Sequence, residues 1–175
     1  MTFVDALRRG EVVAIPTDTV YGVAVMVGHS AALFALKERP TDVALPVLIA
    51  DPDDAARYAT FAVDLTHHWP GALTIVGNRS DESRPWDLGG DGATVGLRCP
   101  DDDDLRALLR ATGPLITTSA NKHGQPPCTT AAEVRTALGD IPLLDGGTRN
   151  GQPSTVVDAT SAPGRVLRQG ALVID

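Results

Sequence analysis

Compact apolar runs alternate along the chain with segments whose apolar residues recur every three or four positions, and glycine, proline and clustered aspartates separate the two kinds. Residues 2–9 have the helical spacing; Thr2 and Asp5 are placed as a capping box and Gly10 as its stop. Residues 11–16 form a short apolar run of strand type and length. Residues 30–39 return to helical spacing through Ala31, Phe34 and Ala35 and end at Pro40. A second apolar strand is expected over 45–50, then helical segments over 53–59 and 63–69, closed by Pro70 and Gly71. Strands are expected at 73–76 and 94–97, on either side of a loop rich in Gly and Asp. The acids at 101–104 favour the start of a helix through LRALLRAT, because carboxylates complement the positive end of the helix dipole. A strand at 115–118 follows, then a helix from the Thr130/Glu133 capping pair to Leu138, and short strands at 143–144, 155–158 and 166–167.

Strands and helices alternate throughout, so the fold class is α/β. No repeat, low-complexity tract or linker divides the chain, and residues 1–175 are expected to form a single domain. A chain of this length can bury roughly 70% of its unfolded surface.

Charge narrows the function classes. The formal net charge is −7, and only two of the fifteen basic residues are lysines, Lys37 and Lys122, which argues against a broad nucleic-acid surface. Cys99 and Cys128 belong to no CxxC pattern and read as free thiols of a reducing compartment. The N-terminus lacks the apolar core of a signal peptide, and no apolar run approaches the roughly 18 residues a membrane span needs. A cytoplasmic protein without membrane attachment is expected.

Several familiar sites are missing. Neither lysine belongs to a GK[ST] phosphate loop, and no GxGxxG, GxSxG or HExxH occurs. His67 and His68 are adjacent on the expected helix and would point to different faces. Four segments remain that place hydroxyl, amide or cationic groups near strand ends, where ligands gather in α/β proteins. The first is 16–22, PTDTVYG; on composition alone an ordinary polar turn accounts for it better. The second is Lys37-Glu38-Arg39-Pro40, whose cations either complement a helix C-terminus or clamp phosphate. The third is 117–121, TTSAN, either a side-chain-capped turn or a phosphate and ribose contact. The fourth is the Ser154-Thr155 pair at a strand start. Arg98 and Arg168 add two guanidiniums at strand ends. The acids at 101–104 read as a solvated helix start rather than a magnesium cage.

Taken together, these segments resemble the YrdC-type threonylcarbamoyl-AMP synthase family, in the family's order: PTDTVYG at 16–22, KERP at 37–40, WPGALT at 69–74, VGLRCP at 95–100, TTSAN at 117–121, STVVD at 154–158 and LRQGA at 167–171. The resemblance implies a twisted, mixed open sheet with flanking helices and a concave cationic groove, in the family's single-domain form. It implies a nucleotidyltransferase whose substrates are L-threonine, bicarbonate and ATP, with Mg²⁺ accompanying the ATP and no tightly bound cofactor. The product would pass to a downstream tRNA threonylcarbamoyl transferase complex. Carried over by motif, Lys37 and Arg39 are catalytic, and Lys37, Arg39, Thr117, Ser119, Asn121 and Arg168 face ATP. Thr17, Thr19, Tyr21, Arg98 and Ser154 surround threonine. The chain departs from many relatives at Val43-Ala44, Leu48, Asp102 and His123.

Two other functions fit the same pattern. One is carbamoyl-adenylate chemistry of the hydrogenase-maturation kind, whose proteins carry further modules for which 175 residues leave no room. The other is an RNA-binding or ribosome-assembly factor using the same groove; an acidic chain with 4% aromatic residues disfavours it, so at most weak RNA binding is expected.

Overall fold

Strand β1 (Val13–Pro16) and strand β2 (Tyr21–Met26) form an antiparallel hairpin that pairs Pro16 with Tyr21, so the polar residues 17–20 are its tip. The computed structural model of the protein describes residues 2–38, 40–122 and 124–174. The hairpin begins a sheet completed by β3 (Val47–Leu48), β4 (Ala59–Thr60), β5 (Leu73–Arg79), β6 (Thr94–Arg98), β7 (Leu115–Ser119), β8 (Thr155–Asp158) and β9 (Arg165–Arg168). Its order is β1-β2-β7-β3-β6-β5-β8-β9, with β4 paired to β5 beside this path. Only β3–β6 and β5–β8 run parallel, so the sheet is mixed, with open edges at β1 and β9.

Side chains of a strand alternate between the two faces of a sheet, and here the two faces have separate cores. On one face, Val13, Ile15, Ala24, Leu48 and Leu115 pack with Ala6 and Leu7 of helix α1 (Phe3–Arg8) and with Leu105 and Leu109 of α4 (Asp103–Thr112). On the other, Ala14, Val23, Val25, Ile75, Leu97 and Val157 pack with α2 (Ser30–Lys37), α3 (Ala55–Tyr58) and α5 (Ala131–Leu138). Burial of a leucine such as Leu105 contributes roughly 1.5–3 kcal/mol. Helices α1 and α4 cover β1, β2 and the Leu115 and Leu48 positions of β7 and β3 on their face, leaving it open at β5, β6 and β8.

Both capping boxes form as expected, Thr2 with Asp5 and Thr130 with Glu133, and Asp102 caps α4 by accepting from Leu105 N at 3.0 Å. Other expectations need correction. Residues 63–69 form only the 3₁₀ turn Thr66–His68. Asp64 accepts from the Thr66 amide and hydroxyl, and Trp69 Nε1 donates to Leu73 O, so local and tertiary bonds hold the segment out of a helix. The His67 and His68 rings accordingly lie 4.1 Å apart instead of diverging. The expected helix at 53–59 splits into the 3₁₀ turn Pro52–Asp54 and α3, because Ala59 is drawn into β4 opposite Arg79. Strand β3 is two residues long, and residues 143–144 contribute a single bridge, Ala14 to Leu143. Strand β2 is hidden in the sequence behind the polar tip.

Candidate functional site

The open part of the α1/α4 face forms a cavity of about 540 Å³, within the usual range for small-molecule sites. Its floor follows the strand period of two: Thr74 and Val76 from β5, Thr94, Gly96 and Arg98 from β6, Ser154 and Val156 at β8, and Thr117 and Ser119 from β7. The intervening residues Leu73, Ile75, Val95, Leu97 and Val157 point into the opposite core. Each strand therefore spends one face on packing and the other on hydroxyls, small residues and guanidiniums.

The hairpin tip and the end of β6 meet at one side. Thr17 Oγ1 donates to Val20 O at 2.7 Å and accepts from the amides of Thr19 and Val20, a side-chain-closed turn. Its proton is thus committed, which makes Thr19 the donor of the 3.0 Å Thr17–Thr19 hydroxyl pair. Arg98 donates to Thr19 Oγ1 at 3.1 Å from both terminal nitrogens, to Asp18 Oδ1 at 2.5 Å and to Gly71 O at 3.2 Å. Burial pulls the Arg98 pKa down, the Asp18 carboxylate pushes it back up, and nearby Arg168 lowers it.

Opposite, Ser154 Oγ lies 2.9 Å from Thr74 Oγ1, and Arg168 donates to Ser154 O at 2.8 Å and to Ser154 Oγ at 3.3 Å. This close approach of the segment after β9 needs Gly170, where a Cβ would collide with Pro153 O and the Ser154 backbone. Burial lowers the Arg168 pKa, and among the described residues no salt bridge reaches it. Two guanidiniums thus face one cavity with one paired carboxylate, an arrangement complemented by an anion.

Lys37 lies at the end of α2, behind the cavity wall, and is 7% exposed. Its ammonium donates to Ser119 O at 2.8 Å, to Asn121 Oδ1 at 2.6 Å and to Asn121 O. Ser119 Oγ also donates to Asn121 Oδ1 at 2.6 Å. Thr117 Oγ1 donates to Val23 O across the β2–β7 pair. The structure therefore brings Thr17, Thr19, Arg98, Thr117, Ser119, Ser154 and Arg168 to the cavity and places Lys37 and Asn121 in the layer behind Ser119. Tyr21 is not brought to it: its side chain is fully buried, donating to Gly147 O at 2.8 Å and accepting from Gly146 N at 3.0 Å. Arg39 and His123 lie outside the described residues.

Sequence reasoning passed over Asp18, which aims Arg98, and Thr74, which aims Ser154. Asp18 was visible inside PTDTVYG and Thr74 closes WPGALT, but neither motif gave it a partner; the parallel β5–β8 pairing set Thr74 beside Ser154. Both cysteines are free and buried, and burial pushes the Cys99 thiol up to about 11, which suits a packing role. Among the described residues no group of three or more His, Cys, Asp or Glu could hold a metal ion, and no helix is long and apolar enough to cross a membrane.

Comparison with known proteins gives a consistent picture. The model of the Sua5, YciO and YrdC proteins, described as Telomere recombination, matches residues 5–170. The chain is similar to the threonylcarbamoyl-AMP synthase of Vibrio campbellii, at 36% identity over 94% of this chain and 95% of that protein. Its fold matches P. abyssi Sua5 complexed with L-threonine, with a TM-score of 0.84 and 30% identity, covering 97% of this chain. The chain spans about half of that Sua5 chain, 53%. It also matches E. coli YciO, with a TM-score of 0.83 and 25% identity over 96% of this chain and 87% of the other.

Proposed function

The chain belongs to the Sua5/YciO/YrdC family, and on that premise we propose that it makes L-threonylcarbamoyl-AMP and pyrophosphate from L-threonine, bicarbonate and ATP, as the activated intermediate of a tRNA modification. The observation that carries this reading is the convergence of Thr19, Arg98, Ser154 and Arg168, from four separate motifs, on one cavity whose Arg168 has no carboxylate partner among the described residues.

The threonine amine attacks the carbon of bicarbonate, water leaves, and a carbamate forms. A carbamate oxygen then attacks the α-phosphorus of ATP, and the bond to pyrophosphate breaks. Reactants this nucleophilic need alignment more than proton transfer, so the protein contributes position and charge neutralisation. Arg98, already oriented by Asp18 and Thr19, offers its charge and its remaining Nη1 N–H to the threonine carboxylate, while Ser154 supplies a hydroxyl to its polar groups and Thr19 borders it. Arg168, Ser119 and Asn121, with Lys37 and Arg39, serve the nucleotide, Thr117 lining the wall between. Lys37 contributes at least by holding the Ser119 and Asn121 carbonyls in place. Mg²⁺ accompanying the ATP would be held by the nucleotide's own phosphates and would neutralise part of their charge, since among the described residues the cavity lining offers hydroxyls and guanidiniums rather than a carboxylate cluster. The product is handed to a tRNA threonylcarbamoyl transferase complex in the cytoplasm.

The test is pyrophosphate release by the purified protein with each substrate omitted in turn. Release is expected only with L-threonine, bicarbonate and ATP together. Equal release without threonine would assign the site to another adenylation.

A further inference from the structure

Residues 145–151, Asp-Gly-Gly-Thr-Arg-Asn-Gly, form no regular element, yet they bond to Tyr21, to Thr129 and to the hairpin tip that borders the cavity. Gly146 N donates to the Tyr21 hydroxyl, which donates in turn to Gly147 O. Arg149 N donates to Thr129 O at 2.8 Å, Asn150 Nδ2 to Asp18 O at 3.3 Å, and Gly151 N to Thr19 O at 3.1 Å. Three residues later the chain is Ser154. The segment thus runs from Tyr21 beside the hairpin tip, along the tip, to the cavity wall at Ser154.

One long-range ion pair fastens it. Arg149 Nη1 lies 3.2 Å from Asp102 Oδ2, and the two side chains are 18% and 13% exposed. Arg149 Nη2 donates to Gly146 O at 2.8 Å, closing the segment on itself, while Nε is buried without a partner. Asp102 is doubly used: Oδ1 caps α4 and Oδ2 receives Arg149. It also lies four residues beyond Arg98 in the chain. The pair therefore ties the segment over the hairpin tip to the segment that carries Arg98.

We infer that residues 145–151 are a strap, locked by Arg149 and Asp102 and pinned by Tyr21, that positions Thr19, Arg98 and Ser154 to receive threonine. This rests on the activity proposed above. Arg149, Asp102 and Tyr21 are positioning residues: Tyr21 faces the strap, and none of the three is among the cavity-lining side chains. The strap's bonds to the hairpin tip fall on Asp18 and Thr19, beside Arg98, and the strap leads directly into Ser154, so its loosening is expected to act chiefly on the threonine side of the cavity.

Two variants separate the lock from its surroundings. Asp102→Asn keeps the cap of α4, since Asn and Asp cap helices equally well, and removes the charge. Arg149→Met keeps the bulk and removes the guanidinium. Each is expected to raise the KM for threonine about 10-fold, the size of one lost charge-assisted bond, with the KM for ATP within about twofold. The double variant is expected to be no worse than either single one, because the two residues act as a unit. Thr2→Ala, in the capping box of α1 away from the cavity, is the control for lost stability alone: a lower melting temperature with both KM values unchanged. Unchanged KM for threonine in a folded Asp102→Asn protein, or equal rises for both substrates, overturns the inference. Should Arg149→Met not fold, Asp102→Asn decides. Amide exchange supplies a reading independent of turnover. Gly146 and Gly151 are expected to exchange faster in both variants, and unchanged protection overturns the strap even if threonine-independent turnover has already removed the proposed activity.

Discussion

Arg98 is 7% exposed, yet each of its three guanidinium nitrogens donates, to Gly71, Thr19 or Asp18, and these bonds leave one Nη1 N–H for a ligand. A buried charge is tolerable only when paired and hydrogen-bonded, and the same bonds fix the plane of the fork before any ligand arrives. Arg98→Ala would leave the Asp18 carboxylate, 14% exposed, without its partner and remove the fork. Threonine affinity is expected to fall by about 2–5 kcal/mol, while ATP affinity, which in our reading depends on Arg168 and the Ser119 loop, changes much less. Calorimetric titration with each ligand checks this, and equal losses would refute the division between the two sides of the cavity. Arg98→Lys should be intermediate, because an ammonium keeps the charge but cannot hold Asp18 and Thr19 in one plane.

Element by element, the helices owe their ends to local chemistry and their places to the sheet. Helix α5 is eight residues long, too short to persist alone, and it combines the Thr130/Glu133 box with burial of Ala131 and Val134. Glu133 accepts from the Thr129 and Thr130 amides, and these bonds together with the Thr129 hydroxyl hold its carboxyl below the usual carboxylate range. Thr130→Ala removes one cap and is expected to cost about 1 kcal/mol. For a chain of this size that lowers the melting temperature by about 2–4 °C, which scanning calorimetry resolves. A larger shift would mean that α5 unfolds together with the neighbouring strap, whose Arg149 amide is bonded to Thr129 O.

For the whole molecule the deciding quantity is charge. The chain carries −7, with Lys37 behind the Ser119 loop and Arg98, Arg149 and Arg168 engaged at or beside the cavity. Several surface guanidiniums elsewhere are paired as well, Arg57 with Glu82, and Arg106 and Arg110 with Asp51. Among the described residues, this pairing and the net negative charge argue against the extended basic track by which proteins grip nucleic-acid phosphates. Binding of tRNA at physiological salt is therefore expected to be no tighter than the roughly 10⁻⁴–10⁻⁶ M of non-specific contacts. A salt titration of tRNA binding measures it; nanomolar affinity would favour an RNA-factor role.

The sequence by itself determined whatever depends on near neighbours. The capping boxes at Thr2 and Thr130 and the Asp-rich start of α4 form as read, because their bonds close within three or four residues. The motif set was sufficient to name the family and to select Thr17, Thr19, Arg98, Thr117, Ser119, Ser154 and Arg168, all of which line one cavity. Only the tertiary structure decided what depends on pairing across the chain. The segment at 63–69 has helical spacing but loses its helix to Asp64 and to the Trp69 bond with Leu73. Tyr21 lies inside a binding motif but turns to the opposite face from Gly22 and meets the strap, since adjacent residues of a strand face opposite ways. Thr74 joins Ser154, and Arg149 joins Asp102, only because strands and loops far apart in sequence are brought side by side. Periodicity records which face a residue takes; what waits on that face is set by the order of the strands.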